Sequence, residues 1–445
     1  MQPDATSLMA ALAAGEVSSS QIIRDCLAAV EAADRGAFTH VDHTHAPQLA
    51  QQSDTRRARG ETAGPLEGLP VAIKANIAVA GWPHTAGLRF RRDVIAPRDA
   101  FVVQRLRAAG AIPIGLTNMD EGALGAEGMN PWYGVIQNPL RRGHSAGGSS
   151  GGSGAAVAAG LVPVALGTDT IGSVRIPASF CGCFGLKPSY GLVSVQDVVP
   201  VHLRFDHVGP IARSARDLSM LLHALAAHDP ACKVSLATRL QPAERTLRGA
   251  RVGFAIGLEP FHVEDAVQAG FALAVDAARG AGADLVPVDL SRWDLPRLRR
   301  AILALCEVQM WRTHGERITA HPDDFSDGLR AFIRYGGKLG SDEIQQAEVS
   351  IAAFVADWTR VMANLDAVLL PTTACRAFPH GERRPQNTAD LTALASASGQ
   401  PAVAMPVWLR GEALPASVQL VGRHASDLQL LAFAAELQEL LVAGY

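Results

Sequence analysis

Cysteine is scarce in this chain, and charge of either sign is nearly balanced. Six cysteines fall in 445 residues, and only Cys181 and Cys183 lie close together. Such spacing excludes a disulfide framework and the paired CxxC pattern of a zinc site, leaving the cysteines as small buried hydrophobes. The net charge is -3, with basic residues scattered in short clusters such as Arg56, Arg57 and Arg59, or Arg91 and Arg92. Without a basic stripe there is no nucleic-acid surface to expect. The N-terminus has Asp4 and lacks both a basic leader and a long apolar segment, so no signal peptide is expected and the location expected is cytoplasmic. One charge-free run, Ser145 to Thr168, is long enough to span a bilayer. Its seven glycines and four serines suit a packed loop and helix instead, so no membrane is expected as a partner.

Hydrophobic residues make up 48% of the chain, enough for one large or two ordinary domains with a sizeable core. Ser18 to Ser20 open one N-terminal helix, and Thr6 or Ser7 caps another that ends at Gly15. From Gly68 onward strand-like and helix-like segments alternate: VAIKA, a helix opened by Asp99, AIPIGLT, a helix from Ser149 or Ser150, and LVPVALG. RVGFAI, a helix and DLVPVDL form a second βαβ-like unit, and DAVLLPT, PAVAMPV and SVQLVG close the series. The pattern predicts an α/β fold, layered α/β/α, with a large mixed central sheet covered by helices. It further predicts a single domain over 1–445, with a helical excursion at about 260–362 covering the active site.

The stretch Gly147 to Gly191 carries the chemistry. Ser149 stands in GGSSGGS, Ser173 follows Thr170-Ile171-Gly172, and Lys74 lies upstream in the apolar run GLPVAIKAN. Hydrolysis of an amide demands an activated nucleophile, a proton relay to the leaving nitrogen and donors for the developing oxyanion. Ser173 fits the first role, since successive backbone N–H groups in so tight a loop can converge on one oxygen. Ser149 can pass a proton between Ser173 and a base. Lys74 is the base candidate because burial among apolar residues disfavours the ammonium and lowers its pKa. The plainer alternative for Lys74 is an ammonium that snorkels to solvent.

These segments resemble the amidase signature family of Ser-cisSer-Lys amidohydrolases, whose motifs GGSSGGS, GTDTxGSxRxPA and CGxxGLKPSYG occur here in order. The resemblance implies Ser173 as nucleophile, Ser149 as a bridging serine held by a cis peptide, and Lys74 as general base. It places the oxyanion donors on the backbone N–H groups of Thr170, Ile171, Gly172 and Ser173, and gives Ser150, Asp169 and Arg175 supporting roles. It also suggests Met129, Trp132, Phe205 and Gln400 as pocket-lining residues, with Trp311 and Arg334 as weaker candidates. The implied enzyme is an amidase acting on a small carboxamide, anilide or carbamoyl compound, with no cofactor or metal and as a homodimer. Two departures stand out: Ile171 replaces a usual Gly, where a β-branched residue would resist positive φ, and Ala75 replaces a usual Asp beside the lysine.

Rival readings carry less. GGSSG matches the G-x-S-x-G elbow of α/β-hydrolases, but Ser149 follows a polar loop rather than a buried strand. His40, His43 and His45 offer metal ligands, yet HExxH is absent. A non-catalytic phosphate-binding loop would want a GK[ST] ending, which is also absent. A glutaminase subunit of an amidotransferase complex is the nearer alternative. After TNMDE, however, the chain reads GALGAEGMNPWYG rather than that subunit's STENSAFG.

Overall fold

The computed structural model describes residues 3–33, 36–61, 64–237, 239–382 and 384–443. Helix α1 (Ala5–Ala14) is capped by Asp4, ahead of the hydroxyls that its sequence suggests, because a carboxylate accepts the Ser7 N–H. Helix α2 (Ser19–Ala32) has Ser18 as its cap, as expected. There follow β1 (Phe38–Val41), α3 (His45–Ala58), β2 (Pro70–Lys74), α4 (Phe101–Ala108), β3 (Ile112–Thr117) and a hairpin of β4 (Met129–Asn130) with β5 (Gly134–Val135). The signature stretch supplies α5 (Gly151–Ala158), β6 (Val164–Asp169), α6 (Arg175–Cys181) and β7 (Phe184–Lys187). Next come β8 (His207–Ala212), α7 (Ala215–Leu225), β9 (Arg251–Ile256), α8 (Asp265–Gly280) and β10 (Asp284–Asp289). Helices α9 (Leu295–Ala320), α10 (Asp327–Gly336) and α11 (Ser341–Met362) precede β11 (Ala367–Pro371), α12 (Asp390–Ser398), β12 (Ala402–Val407), β13 (Ala416–Gly422) and α13 (Asp427–Ala443).

Eleven strands form one mixed sheet in the order β1-β3-β2-β6-β8-β7-β12-β13-β11-β9-β10. Its parallel pairs are β2 with β3 and β6, and β9 with β10 and β11; the remaining pairs are antiparallel. Burial on both faces explains why the central strands read as unbroken apolar runs. Successive residues still serve opposite sides. Val71, Ile73, Val164 and Leu166 enter the core beneath α4, α7 and α13, whereas Ala72, Ala165 and Ile211 pack with Ile23, Ala155 and Val157 of α2 and α5. The same alternation puts Lys74, two residues after Ala72, on the α5 face. That is the face where the glycine-serine loop begins.

The helical excursion begins at Leu295 rather than near 260. Residues 251–289 form a parallel β9-α8-β10 unit that extends the sheet, because α8 buries Phe271, Ala274 and Ala278 against it. Helix α4 starts at Phe101, while Asp99 instead accepts the Ala80 N–H and pairs with Arg107. Among the described residues no helix is long and apolar enough to cross a membrane.

Candidate active site

Strand β2 ends at Lys74, whose side chain is wholly buried. Its Nζ donates to Ser149 Oγ at 2.7 Å and to Thr168 Oγ1 at 2.8 Å. The parallel register of β2 with β6, Ile73 opposite Leu166, brings Lys74 and Thr168 to the same end of the sheet. Asn76 Nδ2 also donates to Thr168 Oγ1, at 3.1 Å. Burial drives the Lys74 pKa down to about 7, against the opposing pull of the Asp120, Asp169 and Asp206 carboxylates. The ammonium does not snorkel. Ala75, next after the lysine, packs in the apolar core with Val71 and Ile73.

The glycine-serine loop lies against the lysine through close backbone approach. The Gly148–Ser149 peptide is cis, and a Cβ on Gly148 would stand 1.9 Å from Asp120 Oδ2, so only glycine fits. Ser150 donates its N–H to the Ser173 carbonyl at 3.2 Å, and its hydroxyl bonds the Thr168 backbone. This backbone bond ties the two serine loops together. Ser149 is fully buried and Ser173 is half-buried in the wall of a cavity of about 460 Å3.

Asp169 builds the turn that presents Ser173. Its carboxylate accepts the N–H groups of Gly172, Val174 and Arg175 at 2.7, 3.2 and 3.5 Å, and takes Arg175 Nε and Nη2 bidentately at 3.0 Å. Burial alone would raise this carboxyl, but the Arg175 guanidinium overrides it and holds Asp169 well below the usual carboxylate range. Arg175 reaches on to Thr392 O, Gln419 Oε1 and Ser396 Oγ, which anchors the turn to α12 and β13. The positive φ of the turn, +125°, falls on Gly172, while Ile171 has an ordinary negative φ. Isoleucine at 171 therefore causes no backbone strain, and its side chain packs half-buried in the cavity wall.

The four proposed oxyanion donors divide. The Gly172 N–H is already taken by Asp169, because the carboxylate caps the turn from the protein side. Among the described residues the Ile171 and Ser173 N–H groups have no protein partner. The Thr170 N–H likewise has no protein partner among the described residues, while the Thr170 hydroxyl donates to Asp206 Oδ1 at 2.7 Å. Burial raises the Asp206 pKa to about 6 and that of Asp120 to about 6.

Of the expected pocket residues only Met129 lines the cavity. Trp132 turns its Nε1 to Glu121 at 2.7 Å under the Arg89 guanidinium, Phe205 is wholly core, and Gln400 accepts from buried Trp358 at 2.7 Å. Trp311 packs over Gly315 and Gly337, and Arg334 lies on α10 beyond Phe332; neither lines the cavity. For Trp132, Phe205 and Gln400 the side chain finds partners inside the fold that spacing in sequence does not disclose. The cavity is walled instead by Asp120, Thr170, Ile171 and Ile176 on the serine side and by α9, α10 and residues 384–389 opposite. His43 and His45 pair with Glu31 and Asp42, and His40 packs on Trp82. Among the described residues no three His, Cys, Asp or Glu side chains gather to hold a metal.

The profile of the family described as Amidase matches residues 21–431. The chain belongs to the amidase signature family. As a member it is an enzyme that hydrolyses amide C–N bonds. The A component of the glutamyl-tRNA(Gln) amidotransferase of Cupriavidus taiwanensis is 35% identical over 479 residues, covering 96% of this chain and 94% of that one. A solved structure described as a vestigial protein complex revealing the evolutionary origins of an s-triazine catabolic enzyme matches with a TM-score of 0.92 at 31% identity, covering 98% of both chains. The peptide amidase of Stenotrophomonas maltophilia matches with a TM-score of 0.84 at 28% identity, covering 98% of this chain and 96% of that one. The matches cover the whole length of the amidase fold rather than the signature alone. Thr168, Asn76, Asp120 and Asp206 are the residues near the site that sequence reasoning missed; Thr168 lies in the GTDT motif, Asp120 in TNMDE and Asn76 two places after Lys74, whereas Asp206 carried no signal.

Proposed function

We propose that this amidase hydrolyses a small carboxamide, anilide or carbamoyl-type substrate through a seryl acyl-enzyme on Ser173. The observation that carries this reading is the 2.7 Å contact between Lys74 Nζ and Ser149 Oγ in a fully buried position beside the cavity that holds Ser173. A lysine with its pKa lowered to about 7 is neutral in a good fraction of molecules at neutral pH and so is a competent base. In the first step Ser173 Oγ attacks the amide carbon, its proton passing to Ser149 as the Ser149 proton passes to Lys74. The oxyanion accepts from N–H groups among Thr170, Ile171 and Ser173, the three that no protein acceptor takes. Collapse of the tetrahedral intermediate breaks the C–N bond, and the relay returns the proton to the leaving nitrogen. Water then attacks the ester with the relay acting again as base, releasing the acid and restoring Ser173. Trp311, Trp132, Phe205 and Gln400 have no part in this reading; Asp169 and Arg175 hold the nucleophile turn.

A second reading follows from the relatives named as amidotransferase components: release of ammonia from glutamine inside a complex. The chain alone, assayed for ammonia or amine release from a panel of primary amides, anilides and carbamoyl compounds and from glutamine, separates the two. Turnover of small amides without partners, abolished in Ser173→Ala and with the acyl group trapped on Ser173, supports the free-standing amidase. An adduct on another residue, or turnover that survives Ser173→Ala, overturns it.

A further inference from the structure

Arg299 lines the same cavity as Ser173 but belongs to neither the relay nor the nucleophile turn. It sits in the second turn of α9, which starts at Leu295. Cations near a helix N-terminus oppose the macrodipole, so helix stability does not explain it. Its Nε is fixed at 2.5 Å on Asp390 Oδ1, a carboxylate that is almost fully buried. Among the described residues its two terminal nitrogens have no hydrogen-bond partner. The neighbouring guanidinium is different: Arg300 gives both terminal nitrogens to Glu307. Arg384, the third guanidinium of the wall, pairs with Glu127. Arg299 is thus a guanidinium clamped through Nε, with its Nη1/Nη2 edge, able to bind a carboxylate bidentately, left open.

We infer that Arg299 is a specificity-determining residue that binds a carboxylate carried by the substrate, so that the preferred substrates are amides bearing a free carboxylate beyond the scissile bond. This rests on the proposed Ser173 chemistry and deepens it. The serine side of the cavity is lined by the Asp120 carboxyl, so like-charge repulsion turns the anionic end of such a substrate toward α9 and leaves the amide facing Ser173. A cavity of about 460 Å3 admits a short dicarboxylic monoamide with room for water.

The test compares succinamate with its neutral isostere 4-methylpentanamide on the purified full chain. The expected result is a kcat/KM for succinamate about tenfold or more above that for the isostere, carried mainly by KM, since a hydrogen-bonded charge pair discriminates by that much. In Arg299→Met the ratio of the two values falls to near one, and in Arg299→Lys, which keeps the charge but not the fork, it is intermediate. Because Arg299→Met strands the buried Asp390, the Arg299→Met/Asp390→Asn double variant repeats the measurement without that unpaired charge. Equal kcat/KM for both amides in the native chain, or a preference that survives both Arg299 variants, overturns the assignment while Ser173-dependent turnover of the neutral amide stands. Turnover that persists in Ser173→Ala overturns the underlying reading, and the inference with it.

Discussion

Lowering the pH from 8 to 5.5 is expected to reduce kcat/KM about thirtyfold, because Lys74 must be neutral to take a proton from Ser149. Burial brings its pKa from 10.5 down to about 7. With that value roughly nine-tenths of the lysine is neutral at pH 8 and about 3% at pH 5.5, which sets the size of the fall. The limb should approach a slope of one decade per pH unit below about pH 6. The Asp120 carboxylate opposes burial by favouring the ammonium, so Asp120→Asn should move the limb to lower pH. The assay is kcat/KM for one amide from pH 5.5 to 9, with enzyme integrity checked by return to pH 8. A profile flat between pH 5.5 and 8, or a limb that moves upward in Asp120→Asn, would refute the reasoning. The same depression has a consequence for stability. Between about pH 7 and pH 10.5 the unfolded lysine binds a proton that the native one rejects. The native state therefore carries a penalty that is full below about pH 7 and is relieved as the pH rises through 10.5. The difference between 10.5 and about 7 corresponds to about 5 kcal/mol.

Thr168→Val removes one of the two hydroxyls that hold Lys74 Nζ; kcat should drop about tenfold with little change in KM, and Thr168→Ser should restore most of it. Gly172→Ala places a Cβ 2.5 Å from Thr392 Oγ1 at a φ of +125°, so denaturant melts should show a loss of about 2–4 kcal/mol together with a fall in turnover. Arg175→Met leaves the buried Asp169 carboxylate without its cation; equilibrium unfolding should show a cost of about 3–5 kcal/mol, and an unchanged unfolding midpoint would contradict the anchoring role of the pair. Replacing Ile171 with Gly should lower the unfolding free energy in denaturant melts by about 1–3 kcal/mol, because the half-buried side chain is lost and, with no positive φ at 171, glycine only adds freedom to the unfolded chain.

The alternating α/β order, the apolar strands, and the placing of Lys74, Ser149 and Ser173 in motifs that small residues keep open are all legible along the chain. Local rules suffice for these: periodicity marks a strand, a hydroxyl or carboxylate caps a helix, and a glycine marks where backbones approach. Lys74 pointing to the α5 face follows from its two-residue spacing from Ala72 once the strand is recognised. Folding alone settles what non-local pairing controls. That β6 lies beside β2, across a gap of some ninety residues, is what gives Lys74 the Thr168 hydroxyl. Asp169 takes the Gly172 N–H out of the oxyanion set because the turn folds over its carboxylate. Trp132, Phe205 and Gln400 are drawn toward partners elsewhere in the fold. The far cavity wall, with Arg299 fixed on Asp390, comes from a helix whose sequence carries no motif. A substrate pocket is assembled from side chains distant in sequence and brought together only by packing, whereas the proposed reacting groups sit in short motifs where backbone geometry constrains residue type directly.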